Sequence, residues 1–285
     1  MKFEAFYPRQ KILKDTIEYY YFQKTNSDNF STEYYAFPNI VVPLNIHRNI
    51  NCQIDGHQSN VIGIKQKNYV MILNGRYEIP LHVQQKGKID KVTIIFKPLG
   101  LNCFIKVPFI EVAQKPTQIF TEWTKTNNAK TFFEQFFGEQ DNDKRILILE
   151  DYLLSLYTPF SESPFLSDIL NMLNDFNKEV SIEDIAKKFS LSSRTLDRLF
   201  KKHLGVSPVS FRKVARFRHS LKNKLFNDQF DTLTRIGYES NFYDQSYFIK
   251  VYKNLTGQNP KAFFNSIDKL ADNKLLFKFI KSEIV

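Results

Sequence analysis

The sequence has few of the residues on which disulfide frameworks and many metal sites depend. Among its 285 residues there are two cysteines, Cys52 and Cys103, and they form no close pair of metal ligands. The longest apolar runs, such as Val70–Leu73 and Ile94–Phe96, are far too short to cross a bilayer. The first ten residues contain no apolar segment after the first charge, so we expect no signal peptide. The simplest prediction is a cytoplasmic protein.

Motifs that carry catalysis or hold a cofactor are also lacking. The sequence contains no glycine-rich phosphate loop and no recognisable nucleophile motif. The histidines available in the N-terminal part, His47, His57 and His82, form no His-x-His pair with a following Glu. A metal-binding β-barrel of the simplest kind would need such a set of ligands. We therefore predict no enzymatic activity, no cofactor and no metal site.

Positive charge is concentrated in one segment. The net charge is +10, yet residues 192–224 alone contain ten basic residues and one acid, Asp197, so this segment carries +9. The rest of the chain carries about +1. A basic surface of this kind is expected of a protein that binds a polyanion, whereas a merely solvated helix face usually mixes both signs. The segment therefore predicts a nucleic-acid partner.

The chain divides into a β-rich part and a helical part. Residues 1–125 contain short apolar stretches separated by turn signals, a pattern typical of a small barrel or sandwich. Residues 126–160 show two helical patterns whose apolar stripes fit a dimer interface and packing onto the barrel equally well. Residues 161–267 contain further helical patterns, and the tail 268–285 has apolar residues at helical spacing without an assigned role. We predict an α+β chain of two domains with a boundary near residue 160.

Aromatic residues are frequent near the start of the chain. They are Tyr19–Phe22, Tyr34, Tyr35 and Phe37. These side chains fit the lining of a small-molecule pocket, but such residues more often belong to the hydrophobic core. We therefore favour the core, with the pocket as the alternative.

A short helix, a turn and a basic amphipathic helix follow one another in the C-terminal part. Ser181 is predicted to cap the first helix, which ends at Phe189, and Ser192 to cap the second. The small Ala186 fits the close crossing of two such helices. The pattern returns 51 to 52 residues later, with these matches: Ile185-Ala186 with Ile236-Gly237, Leu196 with Phe248, Phe200 with Tyr252, Gly205 with Gly257, Pro208 with Pro260, and Phe211 with Phe263.

This repeat resembles the DNA-binding domain of the AraC/XylS family of transcription regulators. The resemblance covers about 100 residues and rests on Ile185-Ala186, on residues 192–208, and on the run Tyr243-Asp-Gln-Ser-Tyr-Phe248. It implies two helix-turn-helix units joined by a long helix, here from Pro208 to about Lys222, with one recognition helix of each unit in the major groove. Family members often carry a cupin-like barrel before this domain, and that barrel binds an effector or mediates pairing.

The sequence departs from the family's pattern at a few positions. Ser190 and Asn241 stand at turn positions that are usually glycine, and Asn tolerates a left-handed conformation better than Ser does. Gly237 replaces the usual alanine of the second unit. Tyr243 occupies a site where a capping residue is common, so we expect Asp244 to cap the helix instead.

The outer faces of the two recognition helices supply the candidate DNA contacts. Arg194 and Arg198 lie one turn apart and are predicted to read bases at guanine. The other predicted contacts bind phosphate, or read bases from the second helix: Ser193, Lys201, Lys202, Arg212, Lys213, Gln245, Ser246, Ile249, Lys250 and Lys253. Since residues 225–261 contain four bases and four acids, we expect the first unit and the joining helix to supply most of the phosphate affinity.

Together these observations predict a transcription regulator that binds double-stranded DNA, with an effector in the N-terminal domain and a homodimer as further expectations. Two alternatives remain open. One is a cupin-type enzyme with an accessory nucleic-acid-binding domain, which a stoichiometric metal would support. The other is an architectural or RNA-binding protein that uses its basic stretch without sequence preference.

Overall fold

The computed structural model describes residues 2–226, 233–270 and 275–282. The strands of the described residues are β1 (Lys2–Phe6), β2 (Ile17–Thr25), β3 (Ser31–Ala36), β4 (Val42–Arg48), β5 (Ile50–Asp55), β6 (Gln58–Gly63), β7 (Tyr69–Asn74), β8 (Leu81–Lys86), β9 (Ile89–Phe96), β10 (Thr117–Ile119), β11 (Asp268–Leu270) and β12 (Leu275–Ser282). Within these ranges they form two six-stranded sheets, ordered β1-β2-β9-β4-β7-β10 and β11-β12-β3-β8-β6-β5. The β-rich prediction for the N-terminal domain is confirmed.

The helices are α1 (Lys11–Thr16), α2 (Phe109–Val112), α3 (Ala129–Gly138), α4 (Asn142–Leu156), α5 (Ser163–Asn174), α6 (Ile182–Lys188), α7 (Ser193–Leu204), α8 (Pro208–Phe226), α9 (Leu233–Glu239), α10 (Gln245–Thr256) and α11 (Pro260–Phe264). Short 3-10 helices lie at Gly100–Phe104 and Trp123–Lys125. No helix in the described part of the chain is long and apolar enough to cross a membrane.

The first sheet is covered on both of its faces, which explains its nearly continuous apolar strands. One face packs against α3 and α4 in the main hydrophobic core, which includes Phe132, Phe136, Leu149 and Leu153. The other face looks toward the second sheet. Of the two uses considered for the stripes of residues 126–160, the structure shows packing onto the β-rich domain, against its first sheet; homodimer formation stays a prediction.

The described residues of the C-terminal tail form two β-strands, β11 and β12, and not a helix, although the apolar residues of the tail are at helical spacing. β12 pairs antiparallel with β3, so that Phe277 lies opposite Ala36. The ring of Tyr34 packs against Phe277 and Phe279, with ring centroids 4.7 and 5.6 Å away. These two phenylalanines are two positions apart and share one face of the strand, as strand geometry requires. Strands β11 and β12 thus extend a sheet of the N-terminal domain.

The C-terminal domain contains two small helical cores joined by α8. The core of the first unit includes Leu196 and Phe200, and the core of the second includes Phe248, Tyr252 and Phe263. The joining helix α8 begins at Pro208 as predicted and extends four residues beyond Lys222, to Phe226. At ~1.5 Å per residue its length is ~28 Å, a distance suited to holding two recognition helices near one turn of DNA apart.

The N-terminal domain contributes one buried side chain to each of these helical cores. Leu99 joins the core of the first unit, and Phe37 joins the core of the second. The ring of Phe37 meets that of Phe263 edge-on, with centroids 4.8 Å apart. The two domains are therefore packed together through apolar contacts as well as through β12.

Candidate nucleic-acid interface

The first helix-turn-helix unit is built from local signals that the sequence already displays. The Ser181 hydroxyl accepts a hydrogen bond from the backbone N–H of Asp184 (3.0 Å), and that of Ser192 accepts one from Thr195 (3.1 Å). Both predicted N-caps are confirmed. The turn passes through Ser190, whose φ is 55°, in the left-handed region expected for this position.

The second unit repeats this construction with different residues. The Asp244 carboxylate caps α10 by accepting a hydrogen bond from the backbone N–H of Tyr247 (2.7 Å), as predicted. Asn241 takes the turn position with φ 57°. A Cβ atom on Gly237 would lie 3.5 Å from the ring of Phe248, so the helices cross closely there. An alanine would fit at this position in ordinary van der Waals contact.

The predicted DNA contacts on the two recognition helices lie mostly at the surface. On α7, Ser193, Arg194, Arg198, Lys201 and Lys202 are exposed. On α10 the exposed members of the predicted set are Gln245, Ser246, Lys250 and Lys253, whereas Ile249 is half-buried against the core of the second unit. Each recognition helix therefore presents a polar face to solvent.

The two predicted classes of contact on α7 differ in their local partners. Lys201 forms an ion pair with Asp197 one turn earlier, with Nζ 2.8 Å from the carboxylate oxygen. Arg194 and Arg198 make no such pair among the described residues, and together with Lys201 they line a surface groove. Their guanidinium groups are available for an external acceptor.

Two predicted phosphate contacts on the joining helix are engaged inside the protein. The Arg212 side chain is 11% exposed, and its guanidinium donates to the backbone oxygen of Val180 (2.6 Å). The Lys213 ammonium donates to the carboxylate of Glu78 in the N-terminal domain. Arg212 and Lys213 would therefore have to give up these internal partners in order to bind phosphate. A count of charges along the sequence misses this because the neutralising acids come from other segments.

The end of α7 is held by the N-terminal domain through contacts that the sequence did not signal. Arg76 donates to the backbone oxygen of Leu204 (3.2 Å), and the Asn102 side-chain amide donates to that of His203 (3.0 Å). These carbonyls belong to the last turn, where a helix leaves its acceptors without internal partners. The ring of Phe109 lies against Gly205, the left-handed residue that ends the helix. The barrel therefore fixes the direction of the first recognition helix.

A small pocket of about 90 Å³, partly open to solvent, lies between the two sheets. Tyr19, Tyr21 and Tyr34 line it, whereas Tyr20 and Phe22 point into the main core on the other face of the same sheet. The aromatic cluster near the start of the chain is thus divided between the main core and the lining of this pocket, and the binding of a small molecule there stays a prediction. Burial raises the pKa of the Tyr34 hydroxyl well above its usual value, so this group stays neutral.

The pocket contains two basic residues from different domains. Lys91 of β9 is 3% exposed, and its Nζ lies 3.3 Å from the side-chain oxygen of Asn45. Burial lowers the pKa of Lys91 to about 7. Arg218 of α8 also lines the pocket and donates to the backbone oxygens of Phe37 and Pro38 (both 2.6 Å). Desolvation lowers the pKa of Arg218 to about 10.

The histidines do not assemble a metal site within the described ranges. His47 lines the pocket, and burial lowers the pKa of its ring well below the usual value. The His82 ring lies 2.7 Å from the carboxylate of Glu33. The described residues contain no group of three or more His, Cys, Asp or Glu side chains placed to hold an ion.

Comparison with known proteins points to the same C-terminal segment. A family model described as a helix-turn-helix domain matches residues 185–266. The transcriptional activator RhaS of Escherichia fergusonii is 33% identical over 97 residues, which cover 34% of this chain and 34% of RhaS. RhaS of Mannheimia succiniciproducens is 32% identical over 81 residues, 28% of this chain and 30% of the relative. The chain spans about a third of the length of these relatives.

Solved structures of ToxT from Vibrio cholerae are similar over more of the chain but at low identity. One, at 13% identity, covers 86% of this chain and 98% of ToxT with a TM-score of 0.47. Another, described as bound to an unsaturated fatty acid, is 12% identical and covers 85% of this chain and 94% of ToxT with a TM-score of 0.45.

The repeated units, their caps and left-handed turns, and the match to the family model all fall on one segment. The relatives named above are described as transcriptional activators. Residues 185–266 are therefore a helix-turn-helix domain, similar to the DNA-binding domain of the AraC type.

Proposed function

We propose that the whole chain is a sequence-specific transcription regulator that places α7 and α10 in successive major grooves. The observation that carries this proposal is the pair of equivalent recognition helices, each with an exposed polar face, on one joining helix. Arg194 and Arg198 are the proposed base readers, and Lys201 and Lys202 the proposed phosphate contacts. On α10, Gln245 and its polar neighbours complete the interface.

In this proposal the joining helix α8 contributes less to phosphate binding than its positive charge would imply. A phosphate contact from Arg212 or Lys213 requires breaking an existing ion pair with Glu179 or Glu78. Among the described residues that cost is absent for Arg194, Arg198 and Lys202, and it is small for Lys201, whose ion pair with Asp197 is exposed. We therefore place most of the phosphate affinity on the recognition helix of the first unit and not on α8.

Selection of bound fragments from genomic DNA tests the proposal. The purified chain should enrich one motif with two half-sites, and it should bind that motif ~10³-fold or more tightly than a scrambled duplex at the same salt concentration. Arg198→Ala should reduce this ratio, whereas Lys130→Ala, which removes an exposed lysine of α3 in the N-terminal domain, should leave it unchanged. Equal affinity for selected and scrambled DNA would support the architectural alternative and contradict the proposal.

We also propose that the pocket between the sheets binds a small organic anion as effector. Lys91 is buried and has no ion-pair partner in the part of the chain that the structure describes. A buried ammonium is costly unless an anion neutralises it, and a carboxylate would supply that charge. Arg218 lines the pocket and belongs to α8 of the DNA-binding domain. A ligand bound in the pocket would therefore contact both domains and change the affinity of the chain for DNA.

A panel of carboxylic acids and their matched amides tests the effector proposal. We expect some acids to raise the unfolding temperature of the chain, the corresponding amides to have much less effect, and Lys91→Met to abolish the difference. Acids and amides that stabilise the chain equally, or acids that still act on the Lys91→Met variant, would exclude Lys91 as the anion-binding group.

A further inference from the structure

A cluster of charged and polar side chains joins the two helix-turn-helix units outside their cores. At its centre is Glu179, in the loop between α5 and α6. Its Oε1 accepts a hydrogen bond from Nη2 of Arg216 (2.5 Å) and lies 3.6 Å from Nη1 of Arg212. Its Oε2 accepts a hydrogen bond from the side-chain amide of Asn241 (2.7 Å). One carboxylate thus contacts the joining helix and the turn of the second unit at the same time.

The cluster is built more firmly than an ordinary surface ion pair. The Arg212 and Arg216 side chains are only 11% and 10% exposed, and they lie four residues apart on one face of α8. The Arg216 guanidinium also stacks on the ring of Phe242, 5.8 Å from its centre, next to Asn241 in the same turn. Without Glu179, the two partly buried cations would lose the carboxylate that pairs with both of them, and only Arg212 would keep the influence of another acid, Glu183. Removal of one partner from such a set is more costly than loss of an exposed pair.

The position of this cluster bears on the geometry of DNA binding. α8 packs against both units, and Glu179 adds a direct link from the loop before the first unit's helices to the turn that precedes α10. Along the chain, α7 follows the Glu179 end of this link and α10 follows its Asn241 end. A change in the angle between the units would move one recognition helix along the groove relative to the other. The two helices must match half-sites about one DNA turn apart, so such a movement would change the half-site spacing that the chain accepts.

We propose that Glu179 is a positioning residue that fixes the angle between the two recognition helices and thereby sets the half-site spacing that the chain accepts. Glu179 touches no base and no phosphate in this proposal. It acts through Arg216 and Asn241, and it uses basic residues of α8 for internal structure. This inference rests on the proposed function, because spacing has a meaning only for a chain that reads two half-sites.

The structure offers a variant that removes one link of the cluster with little effect on the backbone. Asn241→Gly deletes the amide that binds Glu179, and glycine adopts the left-handed φ of 57° at this position without strain. Ser190→Gly is the matched control, since Ser190 occupies the equivalent turn of the first unit with φ 55°. Glu179→Ala removes the centre of the cluster, and Glu179→Gln keeps its size without its charge.

The test measures affinity for a series of duplexes in which the two half-sites of the selected motif are moved apart or together by one and two base pairs. We expect the unmodified chain and Ser190→Gly to prefer one spacing strongly. For Asn241→Gly and Glu179→Ala that preference should fall roughly tenfold, as for loss of a charge-assisted hydrogen bond, and Glu179→Gln should lie between them and the unmodified chain. A uniform loss at every spacing, or an unchanged spacing profile, would overturn the proposal.

A second measurement does not depend on DNA. Spin labels at Lys188→Cys and Lys261→Cys, exposed positions of the first and second unit, report the distance between the units in a chain whose Cys52 and Cys103 are replaced. The distance distribution should broaden in Asn241→Gly and stay narrow in Ser190→Gly; equal widths would contradict the inference. If the unmodified chain fails to distinguish the motif from scrambled DNA, the proposed function itself is wrong, which is a different result.

Discussion

Replacement of Lys91 by methionine should stabilise the protein at neutral pH. The Lys91 ammonium is buried among Asn45, Tyr21 and other side chains of the pocket. Burial lowers its pKa from 10.5 to about 7. A difference of one in pKa corresponds to 1.36 kcal/mol, so the charged form of Lys91 costs the folded state about 5 kcal/mol. Methionine has a similar length and no charge, and the oxygen of Asn45 keeps its hydrogen bond from Thr93 (2.8 Å).

The lowered pKa of Lys91 also predicts how the stability of the protein changes with pH. Between pH 7 and 10.5 the unfolded chain holds a proton on Lys91 that the folded chain has lost, so the free energy of unfolding rises with pH in this window. From pH 7 to 9.5 the rise from this residue amounts to about 3 kcal/mol. The advantage of Lys91→Met over the unmodified protein should therefore be largest at or below pH 7 and shrink as the pH increases.

Urea unfolding at pH 7, 8 and 9.5 measures the effect. Other groups that titrate in this range, such as Cys52 with its raised pKa, are present in both proteins and cancel in the comparison. Lys86→Met is the matched control, because it removes an exposed lysine of β8. If the unfolding free energies of Lys91→Met and the unmodified protein stay parallel from pH 7 to 9.5, the reasoning from burial is wrong.

Three further substitutions test the interface and the packing between domains. Arg194→Ala should weaken binding to the selected motif by ~1–3 kcal/mol and relax the preference at one base pair; equal loss on all sequences would exclude it as a base reader. Phe263→Ala removes a fully buried ring that touches Phe37, and we expect a loss of about 3–5 kcal/mol in urea unfolding. Phe277→Ala, in β12 and 9% exposed, should cost less than Phe263→Ala and should detach β12, which faster hydrogen exchange of β3 amides would reveal. Unchanged exchange would mean that β12 does not depend on this ring.

The DNA-binding domain could be predicted from the sequence because its determinants are local. A capping serine, a left-handed turn residue and a small residue at the helix crossing all lie within a few positions of one another. Asp244 could even be identified as the substitute cap, since the capping geometry depends only on the next three residues. The repeat added a second, independent instance of the same pattern.

The contacts between the domains could not be predicted in this way. β12 pairs with a strand some 240 residues earlier, and its short apolar pattern fits a helix as well as a strand. The choice between them depends on the free edge of β3, which sequence periodicity does not describe. The pairs of Arg76 with Leu204 and of Lys213 with Glu78 likewise join distant segments that only the folded chain brings together.

The basic segment shows how this difference alters a functional prediction. From the sequence alone, each of its ten basic residues is expected to contribute to DNA affinity. Four of them, however, have partners within the protein: Arg212, Lys213, Arg216 and Arg218. Each base that releases a phosphate counterion should add ~0.9 to the slope of log affinity against log salt concentration. We therefore expect Lys202→Ala, at an exposed position of α7, to lower the slope by about one and Arg212→Ala to leave it nearly unchanged. An equal decrease for both variants would mean that the ion pair of Arg212 with Glu179 opens when DNA binds, and it would return the joining helix to the phosphate-binding surface.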